Sequence, residues 1–289
     1  MASSSVEPAG IMSGLPSGYV MRTFSNMKAL IADAHAVLDK LNQNQDDGNQ
    51  YLLLLSPPTS IRVRLDTDKN ALDGIPFRLM FDGPSALVKV IPSFVHDAST
   101  LRLVQKILYG CFSIGVPEDE IGWAGSTTYR PSNRNRGKQP DNCFVPLSRQ
   151  PHGSQQSLNW PTLVIETGVS ESPPRLREDA RWWFEQSSGL VRTVILLSIR
   201  KVRKIIHLEK WQLADPVLGT TISPPLGQQE AAIQRPYIAQ AADIMPTQVD
   251  GDIPLVLQFH ALFDRRPAGT EGDILLDGPA LMNISRFLD

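Results

Sequence analysis

The amino-acid sequence predicts an α/β (α+β) protein in which a mixed β-sheet is flanked by helices. Three observations carry this. Apolar residues recur at helical spacing in long stretches. Short apolar or alternating runs, bounded by Gly, Pro and Asn, lie between them as strands. Strands and helices do not alternate strictly, as they would in a doubly wound fold. The chain has 289 residues, and because domains run to ~100–200 residues it can hold one substantial core with additions.

Residues 1–21 are rich in small residues and are expected to form a disordered tail; no basic start leads into an apolar block, so they do not read as a secretory signal. Over 22–45, Met27, Leu30, Ile31, Ala34, Val37, Leu38 and Leu41 step by three and four, which predicts an amphipathic helix. A core is expected over 46–213. Within it "IRVRLD" at 61–66 alternates apolar and charged residues like a half-buried strand, and "FRLMFD" and "ALVKVIP" read as further strands. Leu101, Leu103, Val104, Ile107, Leu108, Cys111 and Phe112 keep helical spacing, with N-cap candidates among Asp97 to Thr100.

"EIGWAGSTTYR" and "NCFVPL" read as strands around a basic loop, and "PTLVIET" suits a central strand. A helix follows over 172–189, with Ser172 as N-cap, Pro173 and Pro174 in the first turn and Gly189 closing it. "LVRTVILLSI" and "KIIHLEKWQL" form a hairpin pattern. Residues 214–250, rich in Pro, Gln, Ala and Gly, show little periodicity and are expected as a long loop or linker. Residues 251–289 return to a strand and a short helix packing on the core.

Composition narrows the function classes. Hydrophobic residues make up 42% and charged residues 20%, and no apolar run approaches the ~20 residues that cross a bilayer, so no membrane role is expected. The formal net charge of −2 argues against broad nucleic-acid affinity, which goes with a basic stripe. Basic clusters at 130–138 and 200–204 remain; Arg136 and Lys138 in the first are candidates for phosphate contact, beside the ordinary role of solvated charge. Two cysteines, Cys111 and Cys143, are too few for a disulfide scaffold or a zinc cage and suggest an intracellular location, in cytoplasm or nucleus. The signatures GxxxxGK, GxGxxG, GxSxG and HExxH do not occur.

The residues that suggest chemistry are Asp141 in "KQPDNCFVP" and Glu166 in "WPTLVIETG", each an acid at the edge of an apolar run. Hard cations such as Mg²⁺ or Mn²⁺ prefer oxygen ligands, and carboxylates on rigid strands can hold one where it polarises a phosphate and activates water. On adjacent strands the two acids could converge on one ion, with the main-chain carbonyl of Thr167 or Gly168 as a further donor. Two polar strand ends without any metal are the alternative.

The ordered set "ALVKVIPSFVHDASTLRLVQKI", "GSTTYR", "KQPDNCFVP", "WPTLVIETGVSES" and "VRTVILLSI" resembles the PD-(D/E)xK nuclease-like superfamily, in particular its compact restriction-endonuclease-like branch. It is also similar to a group of filamentous-fungal proteins of uncharacterised activity. The likeness covers roughly 75–212. It implies a restriction-endonuclease-like core, metal-dependent phosphodiester hydrolysis with Mg²⁺ or Mn²⁺, metal ligands at Asp141 and Glu166, and nucleic acid as partner. A homodimer through exposed strand edges is compatible with the pattern.

The family's lysine does not carry over. Gly168 stands two residues after the glutamate, and the following helix, where the compact branch places a lysine, offers Arg175, Arg177, Asp179 and Arg181. Arg177 and Arg181 share a face, and Arg181, farther into the helix, is preferred as the electrostatic stand-in, although a guanidinium substitutes poorly in water activation and the ordinary role of both is to solvate the outer face of a helix whose Trp182, Trp183 and Phe184 pack inward. His96 stands where the family often has a histidine and is a further candidate for phosphate contact; a helix-start hydrogen bond is its plainer role. The missing lysine also supports a rival reading: a binding or interaction module, or a pathway-associated protein, that keeps the scaffold without catalysis.

Overall fold

The computed structural model describes residues 10–132, 135–151, 159–169, 173–213 and 235–288. In chain order the elements are β1 (Val20–Thr23), α1 (Met27–Gln43), β2 (Tyr51–Leu55), α2 (Thr59–Thr67), β3 (Phe77–Asp82), β4 (Ser85–Val90) and α3 (Phe94–Ser113). They continue with β5 (Arg136–Lys138), β6 (Asn142–Phe144), β7 (Leu163–Val169), α4 (Pro173–Gln186), β8 (Thr193–Arg200), β9 (Ile205–Leu213), β10 (Pro236–Ile244) and β11 (Val249–Gly251). The chain closes with β12 (Leu255–Leu257), α5 (Phe259–Phe263), β13 (Ile274–Leu276) and α6 (Gly278–Met282).

The strands form a five-stranded sheet ordered β1-β2-β4-β3-β5, a six-stranded sheet ordered β11-β10-β9-β8-β7-β6, and the pair β12-β13. Both larger sheets are mixed. β1 runs parallel to β2 and β7 parallel to β8, while the remaining pairs are antiparallel. Parallel neighbours need a crossover connection, and α4 is the crossover between β7 and β8. The expected α/β class with a mixed sheet is what the molecule has.

Side chains alternate across each strand, and the alternation builds three packed layers. Leu52, Leu54, Leu79 and Val88 on the outer face of the first sheet meet Leu30, Ala34, Val37 and Leu41 of α1. Its inner face, with Tyr51, Leu53, Met80 and Leu87, packs with Val164, Val194 and Leu196 of the second sheet and with Leu176, Trp182 and Trp183 of α4. The far face of the second sheet, with Leu163, Ile165, Ile195 and Leu197, is covered by α3 and the C-terminal elements.

Several expectations are corrected. "IRVRLD" lies in helix α2, which starts after Pro58 and buries only Leu65; six alternating residues fit a short helix with one inward contact as well as a strand. The strand in this region is the unalternated run β2, buried on both faces. Helix α3 begins at Phe94, so Asp97 to Thr100 lie inside its first turns and cap nothing. "EIGWAGSTTYR" contributes a 3-10 turn at Glu118–Glu120 and two isolated bridges, Trp123 to Phe144 and Tyr129 to Lys138.

The described part of 214–250 is no linker, since β10 pairs along β9 and then turns into β11; it lacked periodicity because most of β10 is only half-buried. Residues 10–21 are no loose tail. Ile11, Leu15 and Tyr19 pack against the α4 layer, and β1 joins the first sheet. Ser172 and residues 214–234 lie outside the described residues. Among the described residues no helix is long and apolar enough to cross a membrane.

Candidate active site

The site grows from the place where the β6-β7 ladder stops. Asn142 is paired with Ile165, so continuing that register sets Asp141 across from Glu166 and Pro140 across from Thr167. Pro140 has no N–H to offer the Thr167 carbonyl, and the ladder ends there. Side chains take over both backbone groups of Thr167. Asp141 Oδ2 accepts from its N–H at 2.9 Å, while Lys89 Nζ at 2.6 Å and His96 Nε2 at 2.9 Å donate to its carbonyl.

Asp141 also solves a problem in the opposite sheet. Arg78 and Lys89 are directly paired across β3 and β4, and they share the inner face with Met80 and Leu87. Like charges in that relation repel. The Asp141 carboxylate lies between them, with Oδ1 3.1 Å from Arg78 Nε and Oδ2 3.2 Å from Lys89 Nζ and 3.3 Å from His96 Nε2. Burial alone would raise the Asp141 pKa, but Lys89, His96 and Arg78 outweigh it and hold the carboxyl well below the usual carboxylate range. The Arg78 contact is an ion pair without hydrogen-bond geometry, so among the described residues Asp141 Oδ1 is buried with no hydrogen-bond partner.

His96 Nδ1 faces Asp97 Oδ1 at 3.0 Å and its Nε2 faces a carbonyl. Both ring nitrogens meet acceptors, an arrangement that favours the protonated ring. Burial opposes that charge, and the Asp141 carboxylate prevails, raising the His96 pKa.

Glu166 faces α4 and the first sheet. Its Oε1 accepts from Trp183 Nε1 at 2.6 Å and lies 3.0 Å from Lys138 Nζ. Lys138 is paired with Met80 across β5 and β3, hence on the same inner face, and its ammonium is also 2.5 Å from Asp179 Oδ1, which accepts from Arg175 at 2.7 Å. Burial pushes the Glu166 pKa up to about 7; Lys138 works against the rise, while Asp179 and Asp141 add to it. Two neighbouring carboxyls are thus driven in opposite directions, a division of labour common at acid–base sites. Arg78, Lys89, Lys138, Glu166, Arg175 and Asp179 line a cavity of about 20 Å³ between the sheets, room for about one water.

Of the residues singled out in the sequence, Asp141, Glu166, Lys138 and His96 come together here. Arg136 lies outside, paired with Asp82 at 2.7 Å. Arg177 grips Glu209 on β9 at 2.5 Å and Arg181 pairs with Glu178; neither of these ion pairs includes Asp141 or Glu166. The added positive charge comes from Lys89 and Arg78, which sequence reasoning missed, and from Arg175. A signal existed: each of the first two is a lone basic residue in an otherwise apolar strand, in phase with its buried inner-face positions.

The oxygen donors suit a hard divalent cation in kind. Asp141 and Glu166 supply carboxylates, Thr167 a carbonyl, and Asp141 Oδ1 is a buried anionic atom lacking a hydrogen bond among the described residues. Lys89 already rests on two of these groups, so a metal must share or displace it. Among the described residues no group of three or more His, Cys, Asp and Glu side chains is placed to hold a metal. The fold and site define a mixed α/β protein with a buried centre of carboxylates and ammonium groups where the β6-β7 ladder ends. No protein-family model matches the chain, and no curated protein is significantly similar to it.

Proposed function

We propose that the chain is a metal-dependent phosphodiester hydrolase of the PD-(D/E)xK kind, its lysine supplied by the neighbouring sheet. The observation that supports this reading is the ammonium of Lys138 3.0 Å from Glu166, next in the chain to Thr167, whose N–H donates to Asp141. Asp141, Glu166 and Thr167 would hold Mg²⁺ or Mn²⁺, which when bound polarises a phosphate and acidifies a water. Lys138 takes the part left open by Gly168: a compact ammonium beside the glutamate that stabilises negative charge on the attacked phosphate. Arg78, with 19% of its side chain exposed, is the cation nearest solvent and receives the incoming phosphate. The ligand class is nucleic acid.

A second reading has its own support. Lys89 sits on Asp141 Oδ2 and the Thr167 carbonyl without a metal, which suits a nuclease-fold binding module that has given up catalysis. One experiment separates the two. Purified protein is incubated with single- and double-stranded DNA and RNA and Mg²⁺ or Mn²⁺, alongside Asp141→Ala, Glu166→Ala and Lys138→Ala, with folding checked by thermal melts. The hydrolase reading expects cleavage that falls by about 10²-fold or more in each variant. Cleavage absent on every substrate, or surviving both acid substitutions, sinks it; binding without cleavage points to the module.

A further inference from the structure

Helix α3 carries apolar side chains on two opposite faces. One face packs Leu103, Val104, Ile107 and Cys111 into the second sheet. The other should be polar if it met only water, yet Phe94, Leu101 and Phe112 are 71%, 53% and 46% exposed, and Leu108 is half-buried. Phe287 extends the patch, edge-on to Phe94 at 5.1 Å between ring centroids. Along this face Phe94, Ala98, Leu101, Gln105, Leu108 and Phe112 follow one another in alternating steps of four and three, Ala98 being already buried within the chain. That is the spacing of a coiled-coil seam, and a contiguous exposed apolar patch marks an interaction surface.

We propose that two copies of this chain associate through this face, α3 against α3, in parallel about a two-fold axis. Two features select a second copy over an unrelated apolar partner. Gln105, the one polar residue of the seam, would lose its hydrogen bonds against an apolar surface; a two-fold axis sets it against its own counterpart, where a single polar core residue fixes register and pairing. Asp97 and Arg102 flank the seam on opposite sides, five residues apart. In a parallel pair that offset brings Asp97 of each copy to Arg102 of the other. The Asp97 side chain is 53% exposed, and Arg102 lies over the Phe287 ring at the edge of the same patch.

Sedimentation velocity on the full chain at micromolar concentrations tests this, with Leu101→Glu and Leu101→Cys as variants at an exposed position that folding does not need. The native chain is expected to sediment as a dimer and Leu101→Glu as a monomer with an unchanged melting curve. Mild oxidation of Leu101→Cys is expected to give a disulfide-linked dimer, because the native cysteines are both buried. A monomeric native chain, the outcome if another stretch of this chain or a different protein covers the face, overturns the proposal. So does a dimer that persists in Leu101→Glu, or one that Leu101→Cys fails to cross-link.

Discussion

Lys89, His96 and Arg78 all face one carboxylate, at 3.1–3.3 Å, which is the charge the three share. Asp141→Asn is therefore expected to destabilise the fold by about 3–5 kcal/mol, the usual cost of removing one partner from a buried charge cluster, read by urea unfolding at neutral pH. The pH dependence follows from the lowered pKa of Asp141. A carboxyl held below its unfolded value contributes stability that is complete above that value and fades as pH falls through the folded one. The gap between native protein and Asp141→Asn should thus be widest near neutrality and close in acid; a gap that widens in acid contradicts the assignment. Asp141 and Glu166 were legible as a pair because a proline before one and an apolar run before the other mark strand edges. Lys89 and Arg78 were not, since their role depends on which sheet face meets which, and one-dimensional pattern does not carry that.

Elements pack by contacts equally invisible in the sequence. Gly110 sits in α3 where an added Cβ would lie 2.4 Å from Ile274 Cγ2 of β13. Gly110→Ala gains about 1 kcal/mol of helix propensity, but crowding costs roughly 1–3 kcal/mol, so the melting temperature should fall. Adding Ile274→Ala should destabilise by less than the sum of the two single effects; simple additivity would rule out the contact as the cause. On β9 and β10, His207 bridges Glu209 at 3.2 Å and Asp243 at 2.6 Å. The hydrogen bond to Glu209 raises the His207 pKa first, burial lowers it, and Asp243 adds to the rise. Burial would lift Glu209, but His207, Arg177 and Trp211 hold it at about 2. Stability from a raised histidine is complete below its ordinary pKa and lost as pH rises through the folded value. Protection of β10 amides, corrected for intrinsic exchange, should decline above neutrality in the native chain and stay flat in His207→Gln; equal slopes would discard the His207 bridge as its cause. Helical spacing found α1 and α4, and apolar runs bounded by turn residues found β7 to β9. Alternation misread α2, whose six residues suit either period, and β2, a buried run without alternation, was passed over.

At the scale of the molecule, the centre depends on two sheets meeting. The parallel β7-α4-β8 unit delivers Glu166, Trp183 and Asp179, and the inner face of the first sheet delivers Arg78, Lys89 and Lys138. Composition and element order sufficed for the α/β class, while the partnership of the two sheets emerged only in three dimensions. If Asp141, Glu166 and Thr167 hold a cation, saturating Mn²⁺ should raise the melting temperature, since a ligand bound only by the folded state stabilises it, and Asp141→Ala should abolish the shift. The most direct measurement is anomalous diffraction from crystals soaked in Mn²⁺. One peak is expected within about 2.0–2.6 Å of the Asp141 and Glu166 carboxylates and the Thr167 carbonyl, with Lys89 moved from its 2.6 Å contact with Thr167. No peak, with Lys89 still seated on Thr167, would contradict a cation site here.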